Sequence, residues 1–157
     1  MRDKLHLTVV DRRSFVLGAS AVAALTALAP MTSTPASAKG WKDFMKEAIK
    51  GAKPVEGKVK VDLPEIAENG NTVPYTIKVD SPMSDADHVK TVHVYATGNP
   101  NPQILSASMT PMSGEAYFKS RMRLAKTQEI VSVAEMSNGK VYMGRTTVKV
   151  TIGGCGG

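Results

Sequence analysis

A single cysteine, Cys155, stands third from the end of the chain, between the glycine pairs Gly153-Gly154 and Gly156-Gly157. A thiol is a nucleophile, and its sulfur forms bonds that are stable in water yet open to exchange and redox chemistry. Glycine has no side chain to pack and loses the most conformational entropy when ordered. Four glycines around one thiol therefore read as a flexible arm and not as core. Three residues of extended chain beyond Ile152 reach roughly 10 Å, at 3.3–3.6 Å per residue. That holds Cys155 clear of its own domain and able to enter a narrow site in another protein. No Lys, Arg or His stands in the last eight residues, so nothing local lowers the thiol from its ordinary pKa near 8.5. Activation then comes from whichever protein receives the arm. Cys155 reads as an attachment point for cargo and not as a catalytic nucleophile.

Other chemistry is harder to place. His6 lies near the start, and His88 and His93 share one apparent strand, "HVKTVHVYAT". Their separation of five is odd, so on a regular strand they face opposite sides and form no ligand pair. No CxxC, HExxH, GxGxxG or Walker sequence occurs. Methionines at 45, 83, 109, 112, 122, 136 and 143 suit core filling better than a soft-metal site. The acids are scattered, with no pair placed for general acid–base work. The sequence thus gives no catalytic residue, no metal and no cofactor. A stripe of Lys119, Arg121 and Arg123 is a solvated strand face first, and an anion or acidic-partner site second.

The beginning of the chain is an address. Asp11-Arg12-Arg13-Ser14-Phe15 resembles the twin-arginine export motif, with Asp11 where serine or threonine is usual. An alanine-rich apolar stretch follows to about Ala29, and Ala36-Ser37-Ala38 is a small-x-small cleavage pattern. Residues 1–38 read as a twin-arginine signal peptide removed after Ala38, which places the mature chain in the periplasm, exported folded. Residues 39–157 keep 16 of the 20 Lys and Arg and 12 of the 14 Asp and Glu, a net charge of +4. That is too weak and dispersed for nucleic acid. No run reaches the roughly 20 apolar residues of a membrane span. Folded export fits a cofactor loaded in the cytoplasm or a partner that travels bound. With no cofactor site visible, a partner is the reading.

The elements that must carry the arm are mostly strands. "GWKDFMKEAIKGAK" is a short amphipathic helix, with Trp41, Phe44, Ala48 and Ile49 at helical spacing and Gly51 near its stop. Alternation then marks Val59/Val61/Leu63, Tyr75/Ile77/Val79, Val92/Val94, Leu105/Ala107/Met109, Phe118/Met122/Leu124 and Ile130–Met136. Ser137-Asn138-Gly139 is a hairpin signal into Val141 and Met143. A last strand, "TTVKVTI", carries Val148, Val150 and Ile152. The pattern predicts an all-β fold: an immunoglobulin-like antiparallel β-sandwich of about seven strands after a short helix, with an open barrel as the alternative. The expected domains are a helix and sandwich over 39–152 and a free arm over 153–157. Two other uses of the tail stand beside cargo attachment. An exported structural sandwich could form an intermolecular disulfide through its single cysteine. A terminal di-glycine also resembles ubiquitin-like carriers, but their ATP-dependent cytoplasmic chemistry fits poorly with export.

The segment 119–157, "KSRMRLAKTQEIVSVAEMSNGKVYMGRTTVKVTIGGCGG", and above all its end "KVTIGGCGG", resembles the SoxY family, the sulfur carriers of the periplasmic Sox thiosulfate-oxidising system. The leader and the length agree. The resemblance implies an immunoglobulin-like sandwich in a heterodimer with SoxZ, itself a small β-sandwich exported with this chain. It implies that Cys155 is the carrier cysteine and that Gly153, Gly154, Gly156 and Gly157 form its arm. It further implies transient visits to SoxXA, a haem cytochrome that joins thiosulfate to the thiol, to the di-manganese hydrolase SoxB, and to the molybdenum dehydrogenase SoxCD. The chain itself would catalyse none of these steps and carry no cofactor.

Overall fold

Alternating apolar and polar side chains sort the chain into two sheets that share one core. The structure, a computed structural model, describes residues 39–154. The signal peptide read at 1–38, with Arg12, Arg13, Phe15 and Ala38, lies outside the described residues, as do Cys155, Gly156 and Gly157. The helix α1 (Trp41–Ala48) begins where the Asp43 carboxylate accepts the Gly40 N–H at 3.2 Å. The chain leaves it through Gly51 at φ 76°. Strands follow in the order β1 (Val55–Glu56), β2 (Val59–Asp62), β3 (Ile66–Ala67), β4 (Val73–Val79), β5 (Val89–Ala96), β6 (Gln103–Ser108), β7 (Tyr117–Met122), β8 (Gln128–Met136) and β9 (Val141–Val150).

The larger sheet runs β1-β9-β8-β5-β6 with β3 also on β9, and the smaller runs β2-β4-β7. The seven strands of four residues or more pair antiparallel, as the pattern predicts. The two-residue β1 and β3 pair parallel with β9, which the sequence did not signal. The inner faces of both sheets meet in one core. Val59, Val61, Val73, Tyr75, Ile77, Val79 and Met122 come from the smaller sheet, and Val92, Val94, Ile130, Ala134, Met136 and Val148 from the larger.

Two differences from the sequence reading have physical causes. Val141–Met143 and the last strand are one ten-residue strand, β9. Gly144 sits in its middle because β2 crosses there, and a Cβ would lie 2.1 Å from the Val59 carbonyl oxygen. The last strand also ends at Val150 and not at Ile152. The outer face of the larger sheet is covered by α1. Ile49, Tyr95, Val131, Val133 and Val141 form a second core there, with Trp41, Phe44, Met45 and Met143 packed against it. Among the described residues the methionines are core fillers in both layers, except Met112, 96% exposed.

Candidate functional site at the base of the C-terminal tail

The described chain ends at Gly154, one residue before its only cysteine. How the tail reaches that point is set by backbone contacts. Past β9, the Thr151 N–H donates to Ala67 O at 3.1 Å, and the Thr151 hydroxyl to Glu68 O at 3.0 Å. Ile152 O accepts the Gly70 N–H at 2.7 Å, and the Gly154 N–H donates to Leu124 O at 2.8 Å. Gly70 O in turn accepts the Leu124 N–H at 2.8 Å. Gly70, Leu124 and Gly154 thus form a backbone junction between the chain entering β4, the chain leaving β7 and the tail.

The junction admits no side chains. A Cβ on Gly70 would stand 2.3 Å from Leu124 O and 2.7 Å from Gly154 N. On Gly153 it would stand 2.2 Å from Ala125 O, and on Gly154 2.8 Å from Gly70 O. These neighbours are main-chain atoms, which cannot swing aside. The expectation that nothing packs beyond Ile152 is therefore corrected. Gly153 rests on Ala125 and Gly154 is buried, so the domain continues past 152 and the free arm does not begin at Gly153. Glycine here serves close approach as much as mobility.

A buried polar network holds the loop on which the tail rests. The Asn99 amide donates to Arg123 O at 2.8 Å, and its oxygen accepts the Ala125 N–H at 3.0 Å. That oxygen also accepts from Gln128 Nε2 at 2.8 Å, and Gln128 Oε1 accepts the Gly98 N–H at 2.7 Å. Both amide side chains are buried and satisfied, the condition under which buried polar groups fix a conformation. The Thr127 hydroxyl accepts the Val150 N–H at 2.9 Å, tying the same loop to the end of β9. Sequence reasoning missed Gly70, Asn99 and Gln128. The signals that could have found the first two are turn residues: Asn69-Gly70-Asn71 around Gly70 and Gly98-Asn99-Pro100 around Asn99.

The other candidates fall elsewhere. His88 Nδ1 lies 3.1 Å from Ser84 O, at the entrance to β5. His93 is buried on the outer face of the larger sheet, with Nδ1 2.8 Å from Ser106 Oγ and Nε2 3.1 Å from Glu135 Oε1. Among the described residues no three His, Cys, Asp or Glu gather as metal ligands, and no helix is long and apolar enough to cross a membrane. Lys119 and Arg121 project from the outer face of the smaller sheet, and Arg123 is exposed just past β7.

Comparison with known proteins accords with this geometry. A family described as "Sulfur oxidation protein SoxY" matches residues 45–155. Among solved structures, the sulfur carrier protein SoxY from Chlorobium limicola f thiosulfatophilum is 31% identical, with a TM-score of 0.59 over 71% of this chain and 96% of that one. A superoxide reductase (neelaredoxin) from Ignicoccus hospitalis aligns at 18% identity and TM-score 0.53, over 60% of this chain and 80% of that one. The superoxide reductase from Nanoarchaeum equitans aligns at 12% and 0.52, over 62% and 100%. These two likenesses are of fold alone. No curated protein sequence matches the chain.

Proposed function

The chain belongs to the SoxY family of sulfur oxidation proteins, and from that premise we propose that it is a periplasmic sulfur carrier that holds thiosulfate-derived sulfur on Cys155. The observation that carries the reading is the end of the described chain. A backbone junction anchors the tail up to Gly154, so the sole thiol follows directly after a fixed base and precedes only two glycines. Such a base offers a cysteine to other proteins without any catalytic group beside it in the sequence.

The chemistry on Cys155 balances as follows. The Cys155 thiolate and the outer sulfur of thiosulfate join in a disulfide bond, and the two electrons released pass to the haem cytochrome SoxXA. Water then cleaves the bond between sulfur and the sulfonate group in SoxB, releasing sulfate and two protons and leaving a persulfide on Cys155. Where SoxCD is present, it oxidises that outer sulfur to a sulfonate, itself accepting the six electrons while three waters supply the oxygens and release six protons. A second hydrolysis in SoxB frees sulfate and restores the thiolate. The chain works as a heterodimer with SoxZ, and its twin-arginine leader carries the folded pair across the membrane together.

Intact-mass measurement tests this on the heterodimer incubated with thiosulfate and the cognate enzymes. A reducible mass increase confined to the C-terminal peptide is expected. Free thiol or a disulfide-linked dimer alone, with enzymes of proven activity, would instead make Cys155 a cross-link between copies. Cys155→Ser should retain thermal stability and assembly with SoxZ while losing all loading.

A further inference from the structure

The outer face of the smaller sheet carries a cluster of four exposed cations. Strand register places Lys60 opposite Lys78, Thr76 opposite Lys119, and Pro74 opposite Arg121. The four cations are all exposed, and Asp62 is the only carboxylate at the outward positions within the three strands, while Asp80 and Glu115 stand beside Lys78 at the end of the sheet away from the junction. Among the described residues none of the four makes an ion pair, and neither does Asp62. Lys119 Nζ instead lies 5.7 Å from the centre of the Tyr117 ring on the same face. The four cations and Asp62 sum to +3, against a net charge of +4 for residues 39–157 as a whole.

Like charges directly opposite on a sheet are destabilising. Lys60 and Lys78 form such a pair, and among the described residues no ion pair offsets it: Asp62, the carboxylate on their face, stands opposite Thr76. The face also has the wrong composition for a permanent interface. Lysine is depleted at interface cores, and lasting interfaces are more apolar. Tyr117 is the one large apolar group exposed on this face. Exposed cations that form no ion pair, on a polar face, suit brief encounters, in which charge raises the association rate more than the affinity.

Position decides which encounter. β4 and β7 carry the face, and their ladder runs from Lys78–Tyr117 through Pro74–Arg121 to Val73–Met122. The next contact beyond is the Gly70–Leu124 bond, which belongs to the junction that holds Gly154. A protein seated on this face therefore lies beside the exit of the tail.

We propose that Lys60, Lys78, Lys119 and Arg121 dock the acidic rim around the active-site mouth of the enzymes that receive Cys155. The inference rests on the carrier reading above and adds the surface that brings enzyme and tail together. The face steers the encounter, and the tail then enters the site.

The test uses the heterodimer with K78E/K119E and K60E/R121E replacements in this chain. Stopped-flow association with purified SoxXA or SoxB is measured from low to high ionic strength, and Cys155 loading is followed separately by intact mass. At low salt each double variant should associate at least tenfold more slowly than wild type. The difference should vanish near 0.5 M salt, where the Debye length falls to a few ångströms. Equal association rates and equal salt slopes, with Cys155 loading as in wild type, would overturn the docking face and leave the carrier reading standing. Steered association with no adduct on wild-type Cys155 would do the reverse. Loss of SoxZ from either variant would assign the face to the stable subunit and also overturn the proposal.

Discussion

Four glycines surround the thiol, but the two that precede it already have a structural task. Gly70 is the fixed member of the junction, because it sits between β3 and β4 and cannot leave without opening the sheet. Gly70→Ala is therefore expected to cost about 2 kcal/mol, the range for forcing extra atoms into a packed site. A lower denaturant midpoint with an unchanged slope would show it. Gly153→Ala and Gly154→Ala also meet main-chain atoms, at 2.2 Å and 2.8 Å, but the tail can lift away. Their cost should stay near that of the lost hydrogen bonds, about 1 kcal/mol. A Gly153→Ala loss as large as that of Gly70→Ala would mean the tail cannot separate from the domain. The reading of Cys155 as an attachment point rests on the sequence alone, on its isolation among glycines. The grip on Gly153 and Gly154 was not, because their partners are main-chain oxygens of Ala125 and Gly70, which carry no residue-type signal.

At the scale of elements, the loop between β7 and β8 supports the tail, and Asn99 supports the loop. Asn99→Ala leaves Arg123 O, the Ala125 N–H and one Gln128 donor without their partner. Stranding buried polar groups costs about 1–3 kcal/mol each, so a loss of at least 2 kcal/mol is expected in chemical denaturation, with slower loading of Cys155. The α1 face offers an opposite case. The Tyr95 hydroxyl is buried and makes no hydrogen bond with described residues. Burial, and then the charge of Glu135, push its pKa up to about 12. A folded pKa above the unfolded value near 10 gives stability that is complete below pH 10 and is lost as pH rises toward 12. Tyr95→Phe should therefore match or exceed wild-type stability at pH 7 and lose less between pH 10 and 12, as followed by thermal denaturation. A loss above 1 kcal/mol at pH 7 would show that the hydroxyl has a partner. Most elements were legible because one face of each meets the core, so alternation marks it. The parallel pairs β1 and β3 were not, since two-residue strands hold too few side chains to alternate and take their place from β9. The continuity of β9 was hidden by Gly144, which reads as a break and is in fact the crossing point of β2.

At the scale of the molecule, the junction limits how far the sulfur can travel. With Gly154 held, the Cα of Cys155 lies one peptide, about 3.8 Å, from the Gly154 Cα. If the tail lifts back to Val150, five residues at roughly 3.3–3.6 Å each extend about 17 Å, enough to enter a deep site. Lifting breaks the main-chain hydrogen bonds of Thr151, Ile152 and Gly154. At about 0.5–1.5 kcal/mol each, opening costs a few kcal/mol, well below global unfolding of a domain this size. An enzyme that binds the extended tail offsets that cost, so the junction should be closed in the resting heterodimer and open in the loading complex. Amide hydrogen exchange reads this directly. Gly70 and Gly154, whose N–H groups bond only across the junction, should exchange faster than the core amides of Ile130 and Val133. On addition of SoxB to the loaded carrier their residual protection should fall by tenfold or more, while the core amides stay unchanged. Protection that persists at Gly70 and Gly154 while sulfate is being released would mean that the sulfur reaches its enzyme with the junction shut, through a site no deeper than one residue.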